Sequence, residues 1–252
     1  MINEKFWKNK KVLITGHTGF KGRWLSILLE TLGAKTFGLS LNNKKNYKQL
    51  EYINFLSKKK SYNVDIRNKN DINKVITKIS PEIIIHMAAQ SKVIDSLNFP
   101  VETFETNFMG TVNILNVSVK LRKVKTILII TTDKVYENTN KTKKFSENDK
   151  LGGDDPYSAS KASTEIILNY YKKYFPEKKI ISVRAGNIIG GGDFGENRII
   201  PDFIKAWNSK KKLIIRNPKS TRPWQYVLDV LSFYMQIIEK TYKSKKNFLL
   251  LI

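Results

Sequence analysis

Short apolar runs alternate with amphipathic stretches along this chain. Val12 to Ile14 is the first apolar run, and a helical pattern follows from about Phe20 to Thr31 with Gly33 as its stop. Gly33 to Ser40 reads as a second strand and Ser61 to Ile66 as a third. Tyr47 to Leu56 between them reads as a short helix or irregular segment. Lys69 to Ser80 places Ile72, Val75, Ile76 and Ile79 on one helical face, and Pro81 ends it. Ile83 to Ile85 is apolar throughout, as a strand buried on both faces should be. Pro100 to Leu121 predicts a long helix. Gly110 within it costs about 1 kcal/mol against Ala, which points to close packing there. A strand is predicted within Val124 to Tyr136, a helix after Asp154-Asp155-Pro156, a strand over Ile180 to Arg184 and a helix over Val227 to Lys240.

The junction of the first strand and helix carries Gly16, Gly19 and Gly22. Strand, glycine turn, helix is the opening of a dinucleotide-binding unit. The glycines permit a tight turn, close backbone approach to a pyrophosphate and close helix–strand packing, while the helix N-terminus faces the phosphates. A ligand-free glycine turn is the alternative. The alternation predicts an α/β fold, a Rossmann-type doubly wound parallel sheet with a smaller, incomplete C-terminal substrate-binding lobe. Residues 1–180 form the expected dinucleotide domain and 181–252 the partial lobe, interleaved with the sheet.

Composition narrows the chemistry. The 252 residues include no cysteine and two histidines, so disulfides, thiolate catalysis and a metal centre are not expected. No apolar run is long enough to span a membrane, and the N-terminus lacks a signal-peptide pattern, so a soluble cytoplasmic protein is expected with no membrane partner. The formal charge is +23, but the lysine clusters fall at element ends among asparagines. They read as solvated loops, and no nucleic-acid partner is expected. The positive field would still favour an anionic small-molecule substrate.

Candidate site residues gather at predicted strand ends. His17, Thr18, Phe20 and Lys21 lie inside the glycine turn, and Lys21 either faces a pyrophosphate or is solvated. The second strand ends in Ser40 rather than the usual ribose-binding acid. Ser40 or Asn42 can bond a ribose neutrally, and Lys44 or Lys45 can meet a 2′-phosphate, so this loop leaves NAD and NADP open. Asp65 can accept an adenine amino group with Ile66 against the ring, or can be a solvated turn residue. Ala88 and Ala89 let a ligand approach the fourth strand's carboxyl end. Gln90 and Ser91 suit the wall of a cleft, and His86 reads better as a satisfied core histidine than as a ligand contact. Asn107 either braces a neighbouring backbone or is merely tolerated.

Thr131, Thr132, Asp133 and Lys134 leave the fifth strand as either a catalytic ledge or a simple polar exit. Tyr157 and Lys161 share one helix face at i and i+4. An ammonium one turn away favours a phenolate, and lowering a phenol's pKa by roughly three units takes about 4 kcal/mol. Tyr157 could then take a proton from a sugar hydroxyl while hydride leaves for a cofactor.

Thr15-Gly-His-Thr-Gly-Phe-Lys-Gly22, His86-Met-Ala-Ala-Gln90, Thr132-Asp133 and Tyr157-Ser-Ala-Ser-Lys161 together resemble the extended short-chain dehydrogenase/reductase superfamily, its NAD-dependent epimerases and dehydratases. Arg184-Ala-Gly-Asn-Ile-Ile-Gly-Gly-Gly-Asp193, Ile215-Arg-Asn-Pro218 and Arg222-Pro-Trp-Gln225 extend the resemblance into the substrate half. Within the superfamily the chain is most similar to nucleotide-sugar 4,6-dehydratases acting on CDP-glucose. Relatives acting on dTDP-glucose carry Thr-Asp-Glu where this chain has Thr132-Asp133-Lys134.

The resemblance implies NAD as cofactor, a nucleotide-sugar substrate and a redox-neutral elimination. Tyr157 would deprotonate the 4-hydroxyl, Thr132 would hydrogen-bond the 4-oxygen, and Asp133 would protonate the departing 6-hydroxyl. Lys134 would be the C5 base only if its charge were suppressed, and otherwise would orient water or substrate. Lys161 would also bond the nicotinamide ribose. Asn187, Arg198, Arg216 and Arg222 would hold the substrate's phosphates and nucleotide, the arginines through their planar forks. The glycines Gly190 to Gly192 would allow close backbone approach, Trp224 would wall the pocket, and a homodimer through a helix pair would be possible. Such chains continue beyond the matched region, so the apolar Phe248 to Ile252 is expected to lie uncovered in a shortened lobe.

Overall fold

A computed structural model describes residues 2–41, 60–137, 144–215, 218–244 and 249–251. The chain opens with a short helix α1 (Glu4–Trp7) and the strand β1 (Lys11–Thr15). There follow α2 (Phe20–Thr31), β2 (Lys35–Ser40), β3 (Ser61–Asn63), α3 (Lys69–Ile79) and β4 (Ile83–His86). After α4 (Val93–Asn98) and α5 (Pro100–Phe104) come a π-helical turn over Glu105–Met109 and α6 (Gly110–Ser118). β5 (Thr126–Thr132), α7 (Pro156–Tyr174) and β6 (Lys179–Ala185) complete the first stretch. The remainder holds β7 (Asn187–Ile189), α8 (Ile199–Asn208), β8 (Trp224–Tyr226), α9 (Val227–Lys243) and β9 (Leu249–Leu251).

The main sheet runs in the order β3-β2-β1-β4-β5-β6-β9 with parallel pairing throughout. Its central strands are buried on both faces, which is why they read as unbroken apolar runs. Val12 and Ile14 point to one core with Ile83, Ile85, α2 and α9. Leu13 points to the other with Ile84, α3, α6 and α7. The order reverses between β1 and β4, where Thr15 pairs with His86. That reversal opens the crevice in which open α/β sheets take ligands.

Several expectations are corrected. The helix expected from Pro100 to Leu121 is broken by the π-helical turn, which lets Asn107 point inward while the rod continues. The fifth strand stops at Thr132, and Asp133–Val135 winds into a single 3₁₀ turn capped by Thr132. The apolar terminus expected to be uncovered joins the sheet, because Leu249–Leu251 pairs in parallel with Ser182–Arg184 along the open edge of β6. β6, β9 and the core face of α9 belong to the main sheet and its packing, which leaves β7, β8 and α8 as the separate lobe. The expected segment Tyr47 to Leu56 lies outside the described residues.

Candidate active site

The glycine turn is packed too tightly for side chains. Gly16 has φ +73°, and a Cβ there would stand 2.8 Å from the Ala88 nitrogen. A Cβ on Gly22 would run into the Gly16 carbonyl and stand 2.7 Å from the His17 Cα. Gly19 caps α2 without a side-chain hydrogen bond, so the helix's first-turn N–H groups are not capped by a side chain at the N-cap. In front of them lies a cavity of 570 Å³. Gly16, Thr18, Gly19, Phe20, Lys21 and Gly22 form one wall. Asp65 and Ile66 lie on a second, and Ala88, Ala89, Gln90 and Arg198 on a third. A glycine cradle, a free helix N-terminus and this volume fit the pyrophosphate and adenosine of a dinucleotide.

His17 is absent from these walls. Its ring is packed beneath Gly38, where a Cβ would overlap it, and its Nε2 lies 2.7 Å from Ser61 Oγ. Burial pushes its pKa down to about 4. The His17 side chain therefore faces the sheet rather than the cavity, which leaves only its backbone on the glycine turn. The Asp65 carboxylate is engaged by Arg67 on both oxygens, at 2.6 and 3.1 Å, although it remains on the wall. Ser40 lines the cavity, while Asn42, Lys44 and Lys45 fall outside the described residues. Ile66 sits against Gly110, whose absent Cβ would meet it at 2.6 Å, which accounts for glycine in a helix.

The floor between β1 and β4 is a closed polar chain. Thr15 Oγ1 lies 2.7 Å from His86 Nδ1, and Thr111 Oγ1 lies 3.0 Å from Nε2. His86 is thus a satisfied core histidine. Burial, with Lys161 nearby, pushes its pKa down to about 3. Asn107 braces the backbone: its Oδ1 accepts from Gln90 N at 2.8 Å and its Nδ2 donates to Gln90 O at 3.0 Å. The same amide donates to Ser160 Oγ on α7, so the strand exit and α7 are tied together.

The second half of the site stands at the carboxyl end of β5. Asp155 caps α7 by accepting from Ser158 N at 2.9 Å, with Pro156 in the first turn. That start places Tyr157 against the β5 exit. Its phenol meets the Thr132 side chain, with Asp133, Arg198 and Asp155 at longer range. Thr132 Oγ1 in turn donates to Asp133 Oδ1 at 3.0 Å and accepts from Lys134 N at 3.4 Å. Lys161 is buried and donates to the Ile130 carbonyl at 3.1 Å.

The electrostatics differ from expectation. Burial pushes the Tyr157 phenol up to about 12, against the opposing pull of Thr132 and Arg198. The expected lowering by Lys161 is not built into the protein alone. Burial also brings Lys161 down to about 8, with Glu165 resisting. Lys21 falls to about 7 through burial and the neighbouring charges of Lys161 and Arg198. Its amine lies 5.8 Å from the Tyr234 ring centre, at the junction of the cavity and the Tyr157 ledge.

The expected phosphate-binding residues separate into three groups. Arg198 is on the cavity wall, bonded to both Asp193 oxygens at 3.0 Å and to Ser91 Oγ at 3.2 Å. Asn187 opens β7, and Arg222 is exposed with its guanidinium on the Thr221 carbonyl. Arg216 lies outside the described residues. The glycines at 190–192 serve packing as well: Trp24 Nε1 donates to Gly191 O at 2.8 Å and Arg23 Nη2 to Gly192 O at 3.2 Å. A Cβ on Gly190 would strike Val227 and Phe20. Arg23 and Trp24 were not expected to matter. Their bonds to Gly192 and Gly191 span 169 and 167 positions, beyond any local pattern.

A profile of the NAD dependent epimerase/dehydratase family matches residues 12–250. The chain belongs to that family. Its members use NAD. The chain is 39% identical to CDP-glucose 4,6-dehydratase of Salmonella typhimurium, over 98% of this chain and 71% of that one. It is 32% identical to dTDP-D-glucose 4,6-dehydratase of Dictyostelium discoideum, covering 92% of this chain and 56% of that protein's length. Among solved structures, DesIV of Streptomyces venezuelae, a dTDP-glucose 4,6-dehydratase with NAD and TYD bound, superposes with TM-score 0.80. That match has 21% identity and covers 95% of this chain and 75% of that one. UDP-glucose 4-epimerase of Thermotoga maritima with UDP-glucose gives 0.81 at 22% identity, covering 96% and 76%. These epimerase/dehydratase structures share the fold with this chain. None of its described helices is long and apolar enough to cross a membrane.

Proposed function

We propose that this chain is a nucleotide-sugar 4,6-dehydratase acting on CDP-glucose. The observation that carries the reading is Asp133, hydrogen-bonded to Thr132 and close to the Tyr157 phenol at the carboxyl end of β5. A carboxyl group beside the oxidising Tyr–Thr pair is what elimination needs and epimerisation does not. The 39% identity to a CDP-glucose 4,6-dehydratase supports the nucleotide.

In this reading NAD, when bound, supplies a hydride acceptor that becomes the donor at the end of the cycle. The chain's residues manage the protons. Tyr157 takes the proton of the 4-hydroxyl, and Thr132 holds the 4-oxygen by a hydrogen bond. The free protein holds that phenol near 12, so its ionisation at neutral pH draws on positive charge brought by the cofactor and on Lys161. The 4-ketone acidifies the C5 proton. Asp133 gives its proton to the departing 6-hydroxyl, and water leaves. Lys134, next on the 3₁₀ turn, stands on the same ledge: as a neutral amine it accepts the C5 proton, and as an ammonium it orients water or the sugar while another base takes that proton. Arg198 meets the substrate's phosphates, joined by Asn187, Arg216 and Arg222 from the lobe.

A second copy of the chain is the further partner of this reading. The apolar side chains of Val101, Ile166 and Tyr174 stand 60–70% exposed on α5 and α7 and support pairing through these helices.

Incubation of the purified chain with CDP-glucose and NAD⁺ tests the function. A product lighter by one water and carrying a 4-keto group is expected. A C4 epimer, or a product from dTDP-glucose and none from CDP-glucose, would overturn it.

A further inference from the structure

Behind the Thr132–Tyr157 ledge lies a buried charge cluster that the proton transfers above do not use. Glu165 follows Lys161 by one turn on α7, so the two side chains share a helix face. Both are buried. The carboxylate is fully engaged by the two strands beneath it. Oε1 accepts from Thr131 Oγ1 at 2.5 Å and from Arg184 Nε at 3.3 Å. Oε2 accepts from Ser182 Oγ at 2.9 Å and from Arg184 Nη2 at 3.4 Å. Lys161 bonds the carbonyl of Ile130, the residue just before Thr131. Two consecutive residues of β5 are therefore held by two consecutive turns of α7, immediately before Thr132.

An ammonium removed from water is costly unless an opposite charge lies close. Lys21 faces Lys161 from α2, and His86 faces it from β4. Neither is an anion. Glu165 is the carboxylate acting on it, and Arg184 of β6 draws on the same carboxylate while Lys172 faces both from the next turns of α7. The cluster is thus a row of cation, anion and cation, with the catalytic amine at one end.

We infer that Glu165 is a positioning residue for Lys161: its carboxylate keeps the ammonium charged, and its four hydrogen bonds fix the turn of α7 that aims Lys161 and Tyr157 at the ledge. The inference rests on the proposed role of Lys161 beside the cofactor. Arg184 moderates the effect by sharing the anion.

The test is a lysine-resolved NMR titration of the full chain without cofactor, with the Lys161 signal assigned by its loss in Lys161→Met. The wild-type amine is expected to titrate near pH 8. Glu165→Gln keeps the shape and removes the charge, and should lower the amine's proton affinity about tenfold. Glu165→Asp keeps the charge and should leave the midpoint close to wild type. Arg184→Gln frees the carboxylate and should move the midpoint up. The alkaline limb of turnover should follow the same order. An unmoved midpoint in Glu165→Gln, or equal shifts in the Gln and Asp variants, would overturn the inference. If Glu165→Gln fails to fold by circular dichroism, Arg184→Gln decides: an upward shift supports the coupling and an unchanged midpoint refutes it. Midpoints that move as expected in a chain inactive on CDP-glucose would leave the coupling standing and remove the function proposed above.

Discussion

The body around the glycine cradle and the lobe of β7, β8 and α8 are built to different standards. Around the glycine turn every element is backed by another. Gly16 touches the β4 exit, Gly22 touches Gly16, and Gly110 touches Ile66. In the lobe, α8 buries none of its residues. Trp207 is 75% exposed and Ile214 85% exposed. The lesson is about where binding energy is prepared. The first is a preformed cradle, whereas the lobe leaves large apolar side chains in solvent. The chain spans 71% of its Salmonella relative and 56% of its Dictyostelium relative.

Matched glycine substitutions break this comparison most sharply. Gly22→Ala should destabilise the fold by about 3 kcal/mol or more, because the added methyl meets backbone atoms that cannot step aside. Chemical denaturation reads the loss, and a shift below about 1 kcal/mol would mean the cradle is adaptable.

Acid is the next lever, and both histidines of the chain lie around the glycine cradle. His86 and His17 have folded pKa values pushed down to about 3 and about 4. Unfolded histidines titrate near 6.5, so between that value and the folded ones the unfolded chain binds more protons. Stability should therefore fall as pH drops below about 6.5, by up to ~1.4 kcal/mol per pH unit for each histidine. Melting curves of wild type and His17→Gln across pH 5 to 7 check this, and equal slopes for the two would contradict the assignment to His17.

The smallest effect is expected at Gly191. An added methyl there meets nothing within 4 Å, so Gly191→Ala should change stability by no more than about 0.5 kcal/mol. A larger loss would show that the lobe is as tightly specified as the cradle.

The same division governs what the sequence could tell. Strands β1, β4 and β5 and the glycine turn were legible because burial on both faces leaves an unbroken apolar run and tight packing leaves glycine. Tyr157 and Lys161 were legible because helical spacing alone puts them on one face. Glu165 sits one further turn along that face, so its place beside Lys161 was readable, but its bonds to Thr131, Ser182 and Arg184 depend on strand register. The direction of the His17 side chain was not legible, because only the sheet shows its ring beneath Gly38. The π-helical turn at Asn107 and the edge pairing of Leu249–Leu251 are likewise tertiary outcomes, invisible to local periodicity.

In the proposed reaction Asp133 turns a sugar-oxidising site into an eliminating one. The most direct measurement is a single turnover of Asp133→Asn with CDP-glucose and NAD⁺, following reduced cofactor and water loss together. The account predicts that reduced cofactor accumulates while water loss slows by at least about 100-fold, the scale of a removed general acid. Water loss at the wild-type rate in this variant would contradict it.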